Sequence, residues 1–222
     1  MSKIIIAVCG LAGSGKDTAC DYLVRDHGFM KTSFAAPLKE MAKIAFGFTD
    51  EQLYGPSSKR EEEDTRYPFS GTCPSCGMVC TDYTDEPEEN PLPEGHWYEC
   101  VQCQTSYKKF VTPRLALQTL GTEWGRRLTP NLWASAAVNR ILLAGHDRWC
   151  LSDLRFRNEL DAVHGAGGKV VRLTRGSLSY NHASETGLAG IPLDAFDAVI
   201  DNTGTIGELH WKLNQIYKDF TR

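Results

Sequence analysis

Lys3-Ile4-Ile5-Ile6-Ala7-Val8-Cys9-Gly10-Leu11-Ala12-Gly13-Ser14-Gly15-Lys16-Asp17-Thr18 is the stretch that decides the fold of this chain. A short apolar, β-branched run predicts a buried strand, a glycine-rich turn follows, and Ala19, Tyr22 and Leu23 continue at helical spacing. Strand, loop and helix in that order are the context a phosphate-binding P-loop requires. Gly10, Gly13 and Gly15 lack the Cβ atoms that would stop successive N–H groups from turning inward, and a helix starting near Lys16 adds its positive dipole end. Such a nest suits a di- or triphosphate. Lys16 can then reach the β- and γ-phosphates and offset the charge rearranged during phosphoryl transfer. Gly10-x4-Gly15-Lys16 is followed by Asp17, so the hydroxyl comes one residue late, at Thr18. A glycine loop with no ligand is the plain alternative; strand, glycines, lysine and hydroxyl together argue against it.

The totals narrow the function further. A chain of 222 residues suits one α/β domain with a small insertion and can bury its own core. Its 24 basic and 28 acidic residues give a formal net charge of −4, so no global positive field points to nucleic acid. Anionic substrates would be held by local arginines and lysines. No apolar run approaches the roughly 18 residues of a membrane span, and the first residues carry no signal-peptide pattern. A cytoplasmic protein without membrane contact is expected. Its eight cysteines accompany a P-loop, which implies a reducing compartment, and four of them fall in Cys-x-x-Cys pairs, so metal explains them better than disulfides. Cys9, Cys20 and Cys150 read as core residues.

Outward from the loop, Gly28 stops the first helix and Phe29 to Phe34 reads as a short strand. Pro37 near a helix start, with Leu38, Met41, Ala42 and Ala45 on one face, then makes a second βα unit. Its turn belongs at the carboxyl edge of a parallel sheet, beside the P-loop, where an acceptor can meet the γ-phosphate. Lys39 is the cation available there, with a solvated helix-start lysine as the alternative. Ser57 to Arg66 is charged and turn-rich and reads as a mobile connection, with a helix end followed by a lid edge as the alternative.

Cys73-Pro74-Ser75-Cys76 and Cys100-Val101-Gln102-Cys103 supply paired thiolates on either side of an acidic, proline-rich stretch. Two such turns complete a closed tetrahedral Zn²⁺ site, hence a structural one, on Cys73, Cys76, Cys100 and Cys103. The pattern resembles a zinc ribbon. Cys80 is a possible substitute ligand, and four unligated or redox-paired cysteines are the alternative. A module this small needs a metal to fold. Trp97, Tyr98, Tyr107 and Phe110 read as its core. The acidic stretch argues against nucleic acid binding there.

After Val111, Leu117 and Leu120 mark a helix that a glycine break ends before Arg126 and Arg127, and Asn131 to Leu143 is amphipathic. Arg148 to Asp153 is a buried-strand pattern ending in an acid, where a Walker-B carboxylate stands, able to hold Mg²⁺ through water or orient an acceptor. Capping the next helix is the simpler role for Asp153. Gly168 to Arg175 gives a strand with Arg175 at its end. Asn181 to Glu185 is short and polar, Ala198 to Asn202 is a last strand, and Thr205 to Phe220 is a final amphipathic helix. Strands alternating with helices predict an α/β, P-loop NTPase-type three-layer fold with a central parallel sheet. The core would comprise 1–66 and 111–222, with the ribbon inserted at 67–110.

A GK-x-T ending resembles nucleoside monophosphate kinases more than GTPases or motor ATPases. The chain as a whole resembles bacteriophage-type deoxynucleoside monophosphate kinases of the P-loop kinase superfamily. The matching blocks run in order: Gly13 to Thr18, Phe34 to Lys39, Arg114 to Thr122, Ser152 to Glu159, His182 to Leu188 and Val199 to Gly204. The resemblance implies ATP and Mg²⁺ at Gly13, Ser14, Gly15, Lys16, Asp17, Thr18 and Arg175. It implies an acceptor site lined by Phe34, Pro37, Lys39, Arg114, Trp124 and Asp153, with Lys16, Asp153, Arg114 and Arg155 serving catalysis. The activity implied is ATP-dependent phosphorylation of deoxynucleoside 5′-monophosphates, in a host cytoplasm if a phage encodes the chain. Two rivals stand beside it: a P-loop kinase of another small molecule, such as a coenzyme A precursor, and a zinc-ribbon nucleic-acid-binding ATPase. The ribbon departs from the family pattern, so base preference does not carry over. The oligomeric state, a homodimer among the options, stays open at this point.

Overall fold

The computed structural model describes residues 3–67, 73, 76, 97–99, 102–104, 106–108, 110–175, 187–188 and 190–221. In chain order the elements are β1 (Ile4–Gly10), α1 (Lys16–His27), β2 (Met30–Thr32), α2 (Ala36–Phe46), α3 (Asp50–Tyr54), α4 (Ser57–Glu61), β3 (Trp97–Glu99) and β4 (Ser106–Lys108). There follow α5 (Pro113–Gln118), a π-helical stretch (Thr119–Gly125), α6 (Arg126–Leu128), α7 (Leu132–Leu143), β5 (Arg148–Leu154), α8 (Arg157–Gly165), β6 (Lys169–Thr174), β7 (Ala198–Asp201) and α9 (Ile206–Phe220). They divide into two compact units, Met1–Pro37 with Gly125–Arg222, and Leu38–Trp124.

The first unit is organised by β1, the central strand of a five-stranded sheet ordered β2-β5-β1-β6-β7. Every pairing in it is parallel. Successive side chains of a strand point to opposite faces, and β1 is apolar on both. Ile5, Ala7 and Cys9 meet Ala134, Ala137 and Ile141 of α7 and Leu160 and Val163 of α8. Ile6 and Val8 meet Ala19, Cys20 and Leu23 of α1 and Leu209 and Leu213 of α9. Helices therefore cover both faces, giving the three layers the alternation of elements predicts. Truncating a fully buried member such as Ile5 to alanine costs about 2–5 kcal/mol. Burial likewise pushes the Cys9 thiol up to about 12, in keeping with an inert core residue.

The second unit has a smaller apolar cluster: Ala42, Phe48, Leu53 and Ala116, flanked by Phe46, Tyr67, Val111, Leu117 and Leu120. A capping box between Thr49 and Gln52 starts α3. The charged stretch from Ser57 begins as a helix, the alternative to a mobile connection: α4 is held by Arg60, which donates to the Gly55 carbonyl at 2.9 Å. Beyond it the chain forms a neck. Asp64 N–H donates to the Val111 carbonyl (3.0 Å) and Val111 N–H to the Tyr67 carbonyl (2.8 Å), while the Tyr67 hydroxyl donates to the Phe46 carbonyl (2.7 Å). β3 and β4 pair antiparallel, Tyr98 opposite Tyr107.

The glycine break expected after Leu120 is absent. The helix widens into the π-helical stretch and continues as α6. The glycines serve close packing: a Cβ on Gly121 would stand 2.9 Å from Leu38, and one on Gly125 would stand 2.7 Å from the Trp133 ring. Among the described residues, no helix is long and apolar enough to cross a membrane.

Candidate active site

The loop after β1 is shaped by its backbone. Gly13 stands at φ 74° and Gly15, the N-cap of α1, at φ 95°, conformations that side chains with a Cβ rarely adopt. The Leu11 carbonyl accepts the Ser14 N–H at 3.1 Å and the Lys16 ammonium at 2.8 Å. The lysine is thus folded over its own loop, at the N-terminus of α1. Ser14 is buried, and its Oγ has no hydrogen-bond partner among the described residues. A buried hydroxyl left unsatisfied inside a glycine nest at a helix start fits a phosphate ligand. Thr18 lies half-buried one residue past Asp17, where it could hold Mg²⁺. Asp17 itself is turned outward: its carboxylate pairs with Lys31 at 3.1 Å, and Asp21 pairs with the same lysine at 2.9 Å. From the ends of the neighbouring strands, Arg175 donates to the Gly13 carbonyl (3.3 Å) and Asn202 donates to the Ser14 carbonyl (2.9 Å).

β5 lies beside β1 with Leu154 opposite Cys9, which brings Asp153 to the loop's edge of the sheet. The Asp153 carboxylate accepts the N–H of Phe34 at 2.8 Å and of Ala35 at 3.3 Å. Burial pushes this carboxyl above its ordinary range, while those two N–H groups and Arg155 oppose the rise. Asp153 does not cap a helix, since α8 begins at Arg157 with Phe156 as N-cap. It ties β5 to the turn before α2. Phe34 is 3% exposed and packs in the core with Ala134 and Leu154, Pro37 is half-buried, and Arg155 is exposed.

In the second unit the Lys39 ammonium lies 4.3 Å from the centre of the Tyr54 ring, and Arg114 is ion-paired with Glu61. Trp124 is 46% exposed in the π-helical stretch. The thiols of Cys73, Cys76 and Cys103 all lie within 4.8 Å of one another, Cys73 and Cys103 at 3.6 Å. Zinc–sulfur bonds of about 2.3 Å at tetrahedral angles set sulfurs about 3.8 Å apart, so this donor set fits such an ion. Cys100, Cys80 and the polar stretch Asn181 to Glu185 lie outside the described residues.

Two residues within the matching blocks carry no role readable from the sequence. Glu159 is buried and accepts the N–H groups of Arg155 (2.7 Å) and Phe156 (3.1 Å), fixing the turn after Asp153. Burial, with Asp153 adding repulsion, pushes its carboxyl up to about 7. Asn202 is the other. Its signal is no more than a polar residue closing a strand.

A glycine nest with a lysine closes the central strand of a parallel sheet with helices on both faces, an arrangement suited to holding a phosphate chain. No family model matches the chain. The chain is 29% identical over 221 residues, 93% of its length and 92% of the relative's, to a protein of Acanthamoeba polyphaga mimivirus provisionally named deoxynucleotide monophosphate kinase. It is 24% identical over 244 residues to the deoxynucleotide monophosphate kinase of Enterobacteria phage T4, covering 96% and 98%. A solved dephospho-CoA kinase from Campylobacter jejuni aligns with a TM-score of 0.43 at 13% identity, covering 99% of this chain and 97% of that one. Along nearly its whole length the chain is similar to viral proteins bearing the family name its motifs resemble.

Proposed function

We propose that the protein transfers the γ-phosphoryl group of ATP to a deoxynucleoside 5′-monophosphate, giving the diphosphate and ADP. One observation carries this: a P-loop with Lys16 at the helix start, in a chain similar over 93% and 96% of its length to proteins named for that reaction. Little covalent chemistry falls to the protein, because catalysis of phosphoryl transfer is mostly positioning and charge stabilisation. Gly13 to Thr18 bind the phosphates of ATP, and Thr18 would hold the Mg²⁺ that neutralises their charge when bound. Lys16 leaves the Leu11 carbonyl for the transferring group, with Arg155 and Arg175 beside it. Arg114 grips the acceptor phosphate, helped by Lys39, and Trp124 contacts the acceptor. Asp153 orients the acceptor-side turn through Phe34 and Ala35, with Pro37 following. The attacking phosphate is already an anion near neutral pH and needs no strong base.

Residues 67–110 form an insertion in the kinase core, closed by Zn²⁺ on Cys73, Cys76, Cys103 and Cys100. The spacing of the described thiols supports this part of the reading. The setting is the cytoplasm, with small nucleotides as partners. The test is ADP release by purified protein given ATP and each of the four deoxynucleoside monophosphates, with dephospho-coenzyme A as a contrasting acceptor. Turnover with at least one of the four is expected. Turnover with the coenzyme precursor alone would reassign the acceptor, and none with any would defeat the proposal.

A further inference from the structure

We infer that Asn202 is a positioning residue of the phosphate-binding loop, acting through the peptide that joins Ser14 to Gly15; this rests on the P-loop reading above. The Asn202 side chain is buried, 7% exposed, and its Nδ2 lies 2.9 Å from the Ser14 carbonyl oxygen. A carbonyl can only accept, so the amide nitrogen must be the atom that faces it. A trans peptide is planar, with its N–H and C=O pointing in opposite directions. Holding the Ser14 carbonyl toward Asn202 therefore aims the Gly15 N–H away from β7, at the start of α1.

Two further observations show a close-fitting contact. The Asn202 N–H donates to the Thr174 carbonyl at 2.7 Å, so the residue is fixed from β6 before its side chain reaches the loop. A Cβ on Gly15 would stand 2.6 Å from Nδ2, so residue 15 must be glycine for the amide's approach as well as for its φ of 95°. The Arg175 contact to the neighbouring Gly13 carbonyl is longer, 3.3 Å, and exposed, where water competes. The buried amide is the stiffer of the two supports. Preorganised donors cost no rearrangement when phosphate arrives, and that advantage is what Asn202 supplies.

The experiment measures ADP binding by calorimetry, the KM for ATP and for the preferred monophosphate, and the melting temperature without nucleotide. It compares the wild type with Asn202→Ala and with Asn202→Asp, which keeps the volume and turns an oxygen toward the carbonyl. Both variants should bind ADP roughly five- to tenfold more weakly, the effect of one lost hydrogen bond, and raise the KM for ATP in proportion. The KM for the monophosphate should stay unchanged. Wild-type ADP affinity in both variants overturns the inference, as does a loss shared equally by both substrates and tracking a lower melting temperature. A wild type that binds no ADP overturns the P-loop reading itself, and the inference with it.

Discussion

The parallel sheet and the cysteine cluster keep their functional atoms in place by different means. β1 is buried on both faces, so the loop at its end inherits a rigid mount, and Arg175 and Asn202 reach that loop from the ends of β6 and β7. Cys76 and Cys103 are exposed, and the apolar cluster of their unit is small. Cys73 is buried and held by packing, while a shared ion would hold the other two sulfurs under the zinc proposal. The comparison teaches where each region is vulnerable. Under the proposed function, the first should lose activity to one charge without losing structure, and the second should lose structure with its proposed metal.

The largest effect should come from the sheet edge. Lys16→Ala should lower kcat by about a thousandfold or more, since one charge on the transferring group is removed, while the melting temperature changes little. A folded variant with near wild-type kcat would break the comparison on that side. On the other side, stripping zinc should speed proteolytic cleavage within 67–110 by at least about tenfold and leave the melting of the sheet in place. Metal content near zero in protein purified without chelator would remove the ion from the account. Arg114→Ala should raise the acceptor KM by about ten- to a hundredfold, the range for a lost charged contact to phosphate. Unchanged kinetics for every acceptor would leave Arg114 as the partner of Glu61 and nothing more.

The smallest effect is a pH slope. Burial pushes the Glu159 carboxyl up to about 7, above the 4.5 of an unperturbed glutamate, so the folded state holds its proton more tightly. Its contribution is fully present below 4.5 and is lost as pH rises through about 7, a change of up to about 3 kcal/mol. Glu159→Gln should flatten the fall in stability across that window. Denaturant melts at pH 5 and pH 8 check this, and equal slopes in both proteins would discard it.

How much of this the sequence discloses depends on how local each signal is. The strand period of β1, the glycines and lysine after it, and the spacing of Leu209 and Leu213 in α9 are readable within a dozen residues. The sheet and its P-loop are therefore legible. Asn202 reaches Ser14 across 188 residues, and Asp153 reaches Phe34 across 119; no spacing rule connects such positions. The π-helical stretch was missed because glycine signals a chain break and a close contact alike, and at Gly121 and Gly125 it meant contact. That Cys73, Cys76 and Cys103 come together was legible, because ligand spacing is a local property; Cys100 lies outside the described residues.

The neck between Tyr67 and Val111 would make the proposed insertion modular. The chain returns to within one hydrogen bond of where it left, so natural variation could lengthen, exchange or delete what lies between without disturbing α4 or α5. A gene in which a turn of about four residues joins Tyr67 directly to Val111 should still encode the parallel sheet.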